Sequence, residues 1–133
     1  MIDVQAELYT IGRQAILEEH KEVTLSSTTT LKPTSFPFVS IVEKDNAVYA
    51  RTRDSRNIEN HAEIMIEVNV YTTGDNKQQY ARSIMATLDA KYGAIGLQRM
   101  MMNPIPNYND TTIYRLIARY RGIISTNKEI YRR

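Results

Sequence analysis

The sequence predicts an α+β domain, a mostly antiparallel β-sheet with two helices packed on one face. Three observations carry that expectation. In residues 61–72, HAEIMIEVNVYT, the residues Ala62, Ile64, Ile66, Val68 and Val70 alternate with His61, Glu63, Met65, Glu67 and Asn69, which is the period of a strand buried on one side. Two other stretches, near residues 3–20 and 75–92, repeat apolar residues at spacings of three and four, as amphipathic helices do. The resulting order of helix, hairpin, strand, helix, hairpin gives an antiparallel sheet covered on one face by the helices.

Taken in order, the first helix is expected from Asp3, as its cap, to about His20, with Val4, Leu8, Ile11 and Ala15 forming one stripe. The stretch TLSSTTTLKPTS, residues 24–35, is rich in hydroxyl and β-branched side chains that compete with helix formation. Its Lys32-Pro33 step favours extended backbone, and it reads as a surface connection. FPFVSIVE, residues 36–43, reads as a strand whose Pro37 places it at an edge or a strand start. KDNA then supplies a turn into a second strand, residues 48–53, closing a hairpin. After the alternating strand, Gly74-Asp75 opens a helix that buries Ala81, Ile84, Met85 and Leu88 and stops at Gly93. Residues 97–105 and 111–124 form the last hairpin. On its second strand Tyr114, Leu116, Ala118, Tyr120 and Ile124 face one way, and Arg115, Arg119 and Arg121 share the other side with Ile113, Ile117 and Ile123. Residues 1–124 thus make a single domain, and residues 125–133 a tail that is free unless a partner orders it.

A chain of 133 residues with 42% hydrophobic and 24% charged side chains has the composition of one globular domain. The absence of cysteine excludes a disulfide framework, a thiolate nucleophile and thiolate-bound zinc, and fits a reducing cytoplasm. Neither a secretory leader nor an apolar run of about 20 residues is read in the sequence, so no membrane partner is expected. The net charge is only +2, but it is unevenly distributed. Up to residue 30, Asp3, Glu7, Glu18, Glu19 and Glu22 face only Arg13 and Lys21, whereas from residue 97 basic side chains dominate.

The chemistry-bearing residues are few. The two histidines lie far apart in sequence, and none of the helical zinc, calcium-loop, phosphate-loop or nucleophile-elbow patterns occurs. No enzymatic activity, metal or cofactor is expected. His20 lies in LEEHKE, at the acidic end of the first helix, where a histidine complements the helix dipole or is simply solvated. GAIG, residues 93–96, follows a helix and reads as its stop. Met100, Met101 and Met102 are consecutive, so at least one is exposed or in an interface unless the strand is buried on both faces. The remaining signal is arginine. YARTRDSRN, residues 49–57, carries Arg51, Arg53 and Arg56 beside one acid, Asp54. With Arg115, Arg119 and Arg121 these are the candidate contact residues, because arginine keeps its charge and makes forked bonds to carboxylate or phosphate. The plain alternative is a solvated charged face.

The whole layout resembles the tail terminator, or tail completion, proteins of long-tailed bacteriophages. The likeness spans nearly the entire chain. It rests on the N-terminal helix, the FPFVSIVEKDNAVY hairpin, the unit ENHAEIMIEVNVYTTGDNKQQYARSIMATLDA and the closing strand DTTIYRLIARYRGII. The resemblance implies a structural protomer that joins copies of itself in a ring, typically a hexamer, on the head-proximal end of the tail tube. There it would stop tube growth and present the surface that meets a head-side neck or connector protein. Its place would be the virion, after assembly in the host cytoplasm. Arg51, Arg53 and Arg56 would then touch an acidic surface of the next protomer or of the tube. A head-closure or connector protein is the neighbouring alternative. A small nucleic-acid-binding module using Arg115, Arg119 and Arg121 is the second, and it predicts steeply salt-dependent binding.

Overall fold

The computed structural model describes residues 1–28, 33–48, 61–106, 110–125 and 127–130. The elements are α1 (Gln5–Glu19), β1 (Thr24–Ser26), β2 (Phe38–Val48), β3 (His61–Thr72), α2 (Lys77–Ile95), β4 (Gln98–Ile105) and β5 (Tyr114–Ser125). The five strands lie in the order β1-β2-β3-β5-β4, with β1 parallel to β2 and every other pair antiparallel. This is the expected α+β arrangement. The alternating segment becomes β3, which lies between β2 and β5 and pairs along its length with β5.

Alternation places the core where the sequence puts it. Ala62, Ile64, Ile66, Val68 and Val70 of β3 join Leu116, Ala118, Tyr120 and Ile124 of β5 under the helices, where all are buried. The helices add Leu8 and Ile16 from α1 and Ala81, Ile84, Met85, Leu88 and Tyr92 from α2. Each fully buried Ile or Leu in such a layer contributes about 1.5–3 kcal/mol.

Several expectations are corrected. On α1 the buried line runs through Leu8, Gly12 and Ile16, whereas Ile11 and Ala15 lie at its margin. The reason is Gly12, whose missing side chain lets α1 approach Tyr92 of α2. The Tyr92 hydroxyl donates to the Leu8 carbonyl at 2.8 Å. The surface connection contains β1, whose three residues pair with Phe38, Val39 and Ser40, a strand too short to show a period. KDNA is not a turn. β2 runs through it, with a bulge between Glu43 and Asp45, and the bulge absorbs the local loss of alternation. The hairpin partner of β2 is therefore β3. Residues 49–60, with the expected strand at 48–53 beyond its first residue, lie outside the described residues.

α2 continues past Gly93 and stops at Gly96, whose φ of 106° needs a left-handed backbone that glycine adopts freely. Gly93 shows that a glycine late in a helical period does not fix the stop by itself. The tail expectation also changes for residues 127–130. The Ser125 N–H donates to the Glu129 carbonyl at 2.8 Å, and Ile130 bridges back to Ile124 and packs against the core.

One strained group lies near the start of α1. Glu43 is on the helix side of β2, opposite Ile66, and its Oε1 is buried with no hydrogen-bond partner among the described residues. Burial, and then the nearby Asp3 carboxylate, push its pKa up. A carboxyl whose pKa is raised on folding stabilises fully below its unfolded pKa, and that contribution is lost as pH rises through the folded value. Glu43→Gln is therefore expected to stabilise the protein at pH 7, by up to about 1 kcal/mol. The gain should shrink as pH falls toward the ordinary glutamate range, and urea unfolding at pH 7 and pH 4 checks both parts.

Candidate functional site

The helices cover one face of the sheet, and the other face carries Arg115, Arg119 and Arg121. Strand alternation puts Phe38, Ser40 and Val42 of β2, Glu63, Met65, Glu67, Asn69 and Tyr71 of β3, and Arg115, Ile117, Arg119, Arg121 and Ile123 of β5 on it. β3 and β5 are neighbours, so opposite charges meet across the strands. Glu67 and Arg119 are direct partners in the register, with Arg119 Nε donating to Glu67 Oε2 at 3.1 Å. Arg121 Nε donates diagonally to Glu63 Oε1 at 2.5 Å, and this bond holds the Glu63 carboxyl below its usual range.

Among the described residues Arg115 has no carboxylate partner; its Nε donates to Asn69 Oδ1 at 2.9 Å, and its guanidinium lies 5.5 Å from the centre of the Tyr71 ring. That ring in turn meets Phe38 at 6.1 Å. Asn69 then donates from Nδ2 to Glu67 Oε1 at 3.2 Å, which joins Arg115 and Arg119 into one network beside the Arg121–Glu63 pair. Lys44, at the β2 bulge, approaches the same Glu67 oxygen at 4.0 Å. The centre of this face is sheltered although neither of the described helices lies on it. Asn69 is 2% exposed, Glu67 6%, Ile117 6% and Ile123 6%.

Thus the structure brings Arg115, Arg119 and Arg121 together, and Arg51, Arg53 and Arg56 lie outside the described residues. Sequence reasoning missed Asn69 and Lys44. The signal for Asn69 was present, because it alternates in phase with Glu63 and Glu67. Lys44 was hidden by the bulge, which reads in sequence as a turn.

No family model matches the sequence, and no curated protein matches it. The face is therefore read from its own chemistry. Among the described residues it carries four cations, Lys44, Arg115, Arg119 and Arg121, against three carboxylates, Glu63, Glu67 and Asp45, the last opposite Met65 in the register, a local excess of +1 by that count. Its charges are held by hydrogen bonds, so they present a fixed pattern of donors, and a fixed pattern selects a complementary partner and its register.

The helix side holds two further polar groups. The Tyr120 hydroxyl donates to Asp89 at 2.8 Å, and Asp89 meets Arg99 of β4 at 3.2 Å, which ties α2 to the β4–β5 hairpin. Burial raises the Tyr120 pKa and the Asp89 bond adds to it. At the end of α1, His20 is only 14% exposed at its side chain, and its Nε2 sits 3.4 Å from Thr87. Tyr80 donates to Glu22 beside it, and burial, with that bond, pushes the Tyr80 pKa up to about 12. His20 thus ends α1, as the sequence suggests, but its side chain is sheltered between the helices rather than solvated. Among the described residues, no group of His, Asp or Glu side chains is placed to hold a metal ion, and no helix is long and apolar enough to cross a membrane.

Both sheet edges are short or interrupted. β1 has three residues, and β4 has a bulge between Arg99 and Met101 and a proline at 104 that cannot donate to a ladder. Such edges resist pairing with a further strand. Met100, at that bulge, is 51% exposed, Met101 is half-buried opposite Arg119 on the open face, and Met102 packs against the core.

Proposed function

We propose that this chain is a structural assembly protein of the tail terminator type, a protomer that closes with its own copies into a ring on the head-proximal end of a tail tube. The ring would stop tube growth and offer the head-side neck protein its docking surface. The observation that carries the reading is the uncovered sheet face, where Glu63, Glu67 and Asn69 hold three arginines in a fixed array. A preorganised polar face suits recognition of another folded surface, because little side-chain freedom remains to be lost on contact. The two-layer build also gives the protomer two unlike sides, helices and open sheet, as head-to-tail contacts that close into a ring require.

The same geometry weighs against the nucleic-acid reading. Arg119 and Arg121 already bond carboxylates, so a phosphate would have to compete with Glu67 and Glu63. The contact residues of the reading are Arg115, Arg119 and Arg121, together with Arg51, Arg53 and Arg56 from the segment between β2 and β3.

Sedimentation velocity over a wide concentration range, with negative-stain micrographs of the same sample, tests the reading. A closed oligomer of one size is expected, with weak retention of duplex DNA at 150 mM salt, about physiological strength. A monomer at every concentration, or tight and steeply salt-dependent DNA binding, would overturn it.

A further inference from the structure

The C-terminal residues fold back onto an apolar groove between the helices and the end of β5. Val4, Leu8, Ile11, Ile95 and Ile124 line it, and Ile130 closes it over a space of about 230 Å3. Lys128 reaches across to Glu7, with Nζ donating to Oε1 at 2.7 Å. The turn that brings these residues back is closed by the Lys128 N–H on the Ser125 carbonyl at 2.9 Å. Lys128 adopts a φ of 60°, a left-handed conformation that a side chain with a Cβ disfavours.

We propose that this segment is an exchangeable arm, and that in the assembled protein the groove of each copy receives Lys128 and Ile130 of its neighbour. The inference rests on the self-assembly part of the function proposed above. Four features support it. The occupant is defined by the molecule itself, since the groove already accepts a branched aliphatic side chain with a cation placed opposite Glu7, and an identical segment from a second copy satisfies the same contacts. The fold-back depends on a left-handed lysine, and straightening the chain beyond β5 removes that strain; a short strained hinge favours exchange between copies. Extended chain spans about 3.3 Å per residue, so the five residues beyond Ser125, ending at Ile130, reach roughly 16 Å, enough to cross a contact between adjacent copies. Finally, the blunted edges of β1 and β4 leave strand addition a poor route to self-association. Donor arm and acceptor groove are different surfaces, so a one-way exchange leaves one of each free, and its repetition makes a ring where the rotation between copies closes.

The chain has no cysteine, which makes a crosslinking test direct. In the full-length variant Ile11→Cys/Ile130→Cys, both positions line the same groove. After mild oxidation, a non-reducing denaturing gel is expected to show covalent ladders of two or more chains, and Lys128→Gly in the same background should raise the single-chain product about fivefold by relieving the strain that favours exchange. Disulfides confined to single chains in a sample that sediments as an oligomer would overturn the arm exchange and leave self-assembly standing. A monomer with single-chain disulfides overturns both. Absence of any disulfide shows that residue 130 does not occupy the groove in solution, which also overturns the exchange.

Discussion

Gly12→Ala is expected to destabilise the protein by about 1–3 kcal/mol, in the range of core overpacking, although alanine is favoured over glycine inside a helix by about 1 kcal/mol. The sign is decided by what stands above position 12. A Cβ there would meet the Tyr92 hydroxyl at 2.8 Å, Leu88 Cδ1 at 2.9 Å and Ile41 Cδ1 at 3.0 Å. None of the three has room to retreat, because Tyr92 and Leu88 are fully buried and Ile41 is 1% exposed. Tyr92 is also held by its bond to the Leu8 carbonyl, one helical turn before Gly12. Relief therefore requires α1 to lift from α2 and β2, which opens the core along the whole contact. Tyr92→Phe removes the nearest atom and should cost about 0.5–1.5 kcal/mol alone, as one hydrogen bond is lost. In that background the Gly12→Ala penalty should fall, so the two changes are non-additive. Urea unfolding of the four proteins gives the coupling. A stabilising Gly12→Ala would mean that the helices do not meet as closely as described.

The same glycine marks the boundary of what the sequence discloses. The alternation in residues 61–72 locates β3 to the residue, because a period of two over twelve positions has no competing reading. The apolar set on α2 is equally legible, and so are the two faces of β5. What the sequence conceals is local departure from period. The bulge at Lys44 shifts the phase of β2 and makes KDNA look like a turn, and β1 is too short to have a phase. Gly12 lies on the buried line of α1 but reads as a gap in it, since its role depends on a tyrosine 80 positions away. At the candidate site, charge and alternation were enough to place Arg115, Arg119 and Arg121 on one face with Glu63 and Glu67. They were not enough to show that Asn69 joins them, because that bond depends on the register between β3 and β5.

Arg119→Ala is the substitution with the largest expected effect on that face. Arg119 is 45% exposed at its side chain, but its partner Glu67 is only 8% exposed. The value of the pair is therefore set by the sheltered carboxylate rather than by the exposed guanidinium. Removing Arg119 leaves Glu67 with the Asn69 amide and the more distant Lys44 ammonium, at 3.2 and 4.0 Å. Leaving a buried polar group short of a partner costs about 1–3 kcal/mol, and the partial exposure of this pair favours the lower half of that range. Glu67→Gln in the same chain removes the uncompensated charge and should recover part of the loss, whereas Glu67→Gln alone should cost less than Arg119→Ala. Arg115→Ala offers a contrast, since it strands a neutral amide and leaves no buried charge behind. It should affect stability less than Arg119→Ala while removing one of the face's cations. If the face contacts another protomer, Arg115→Ala should therefore weaken assembly more than folding, and Arg119→Ala should weaken both. Parallel urea unfolding and sedimentation separate these patterns, and equal losses in both assays for the two variants would show that the array stabilises the sheet without recognising a partner.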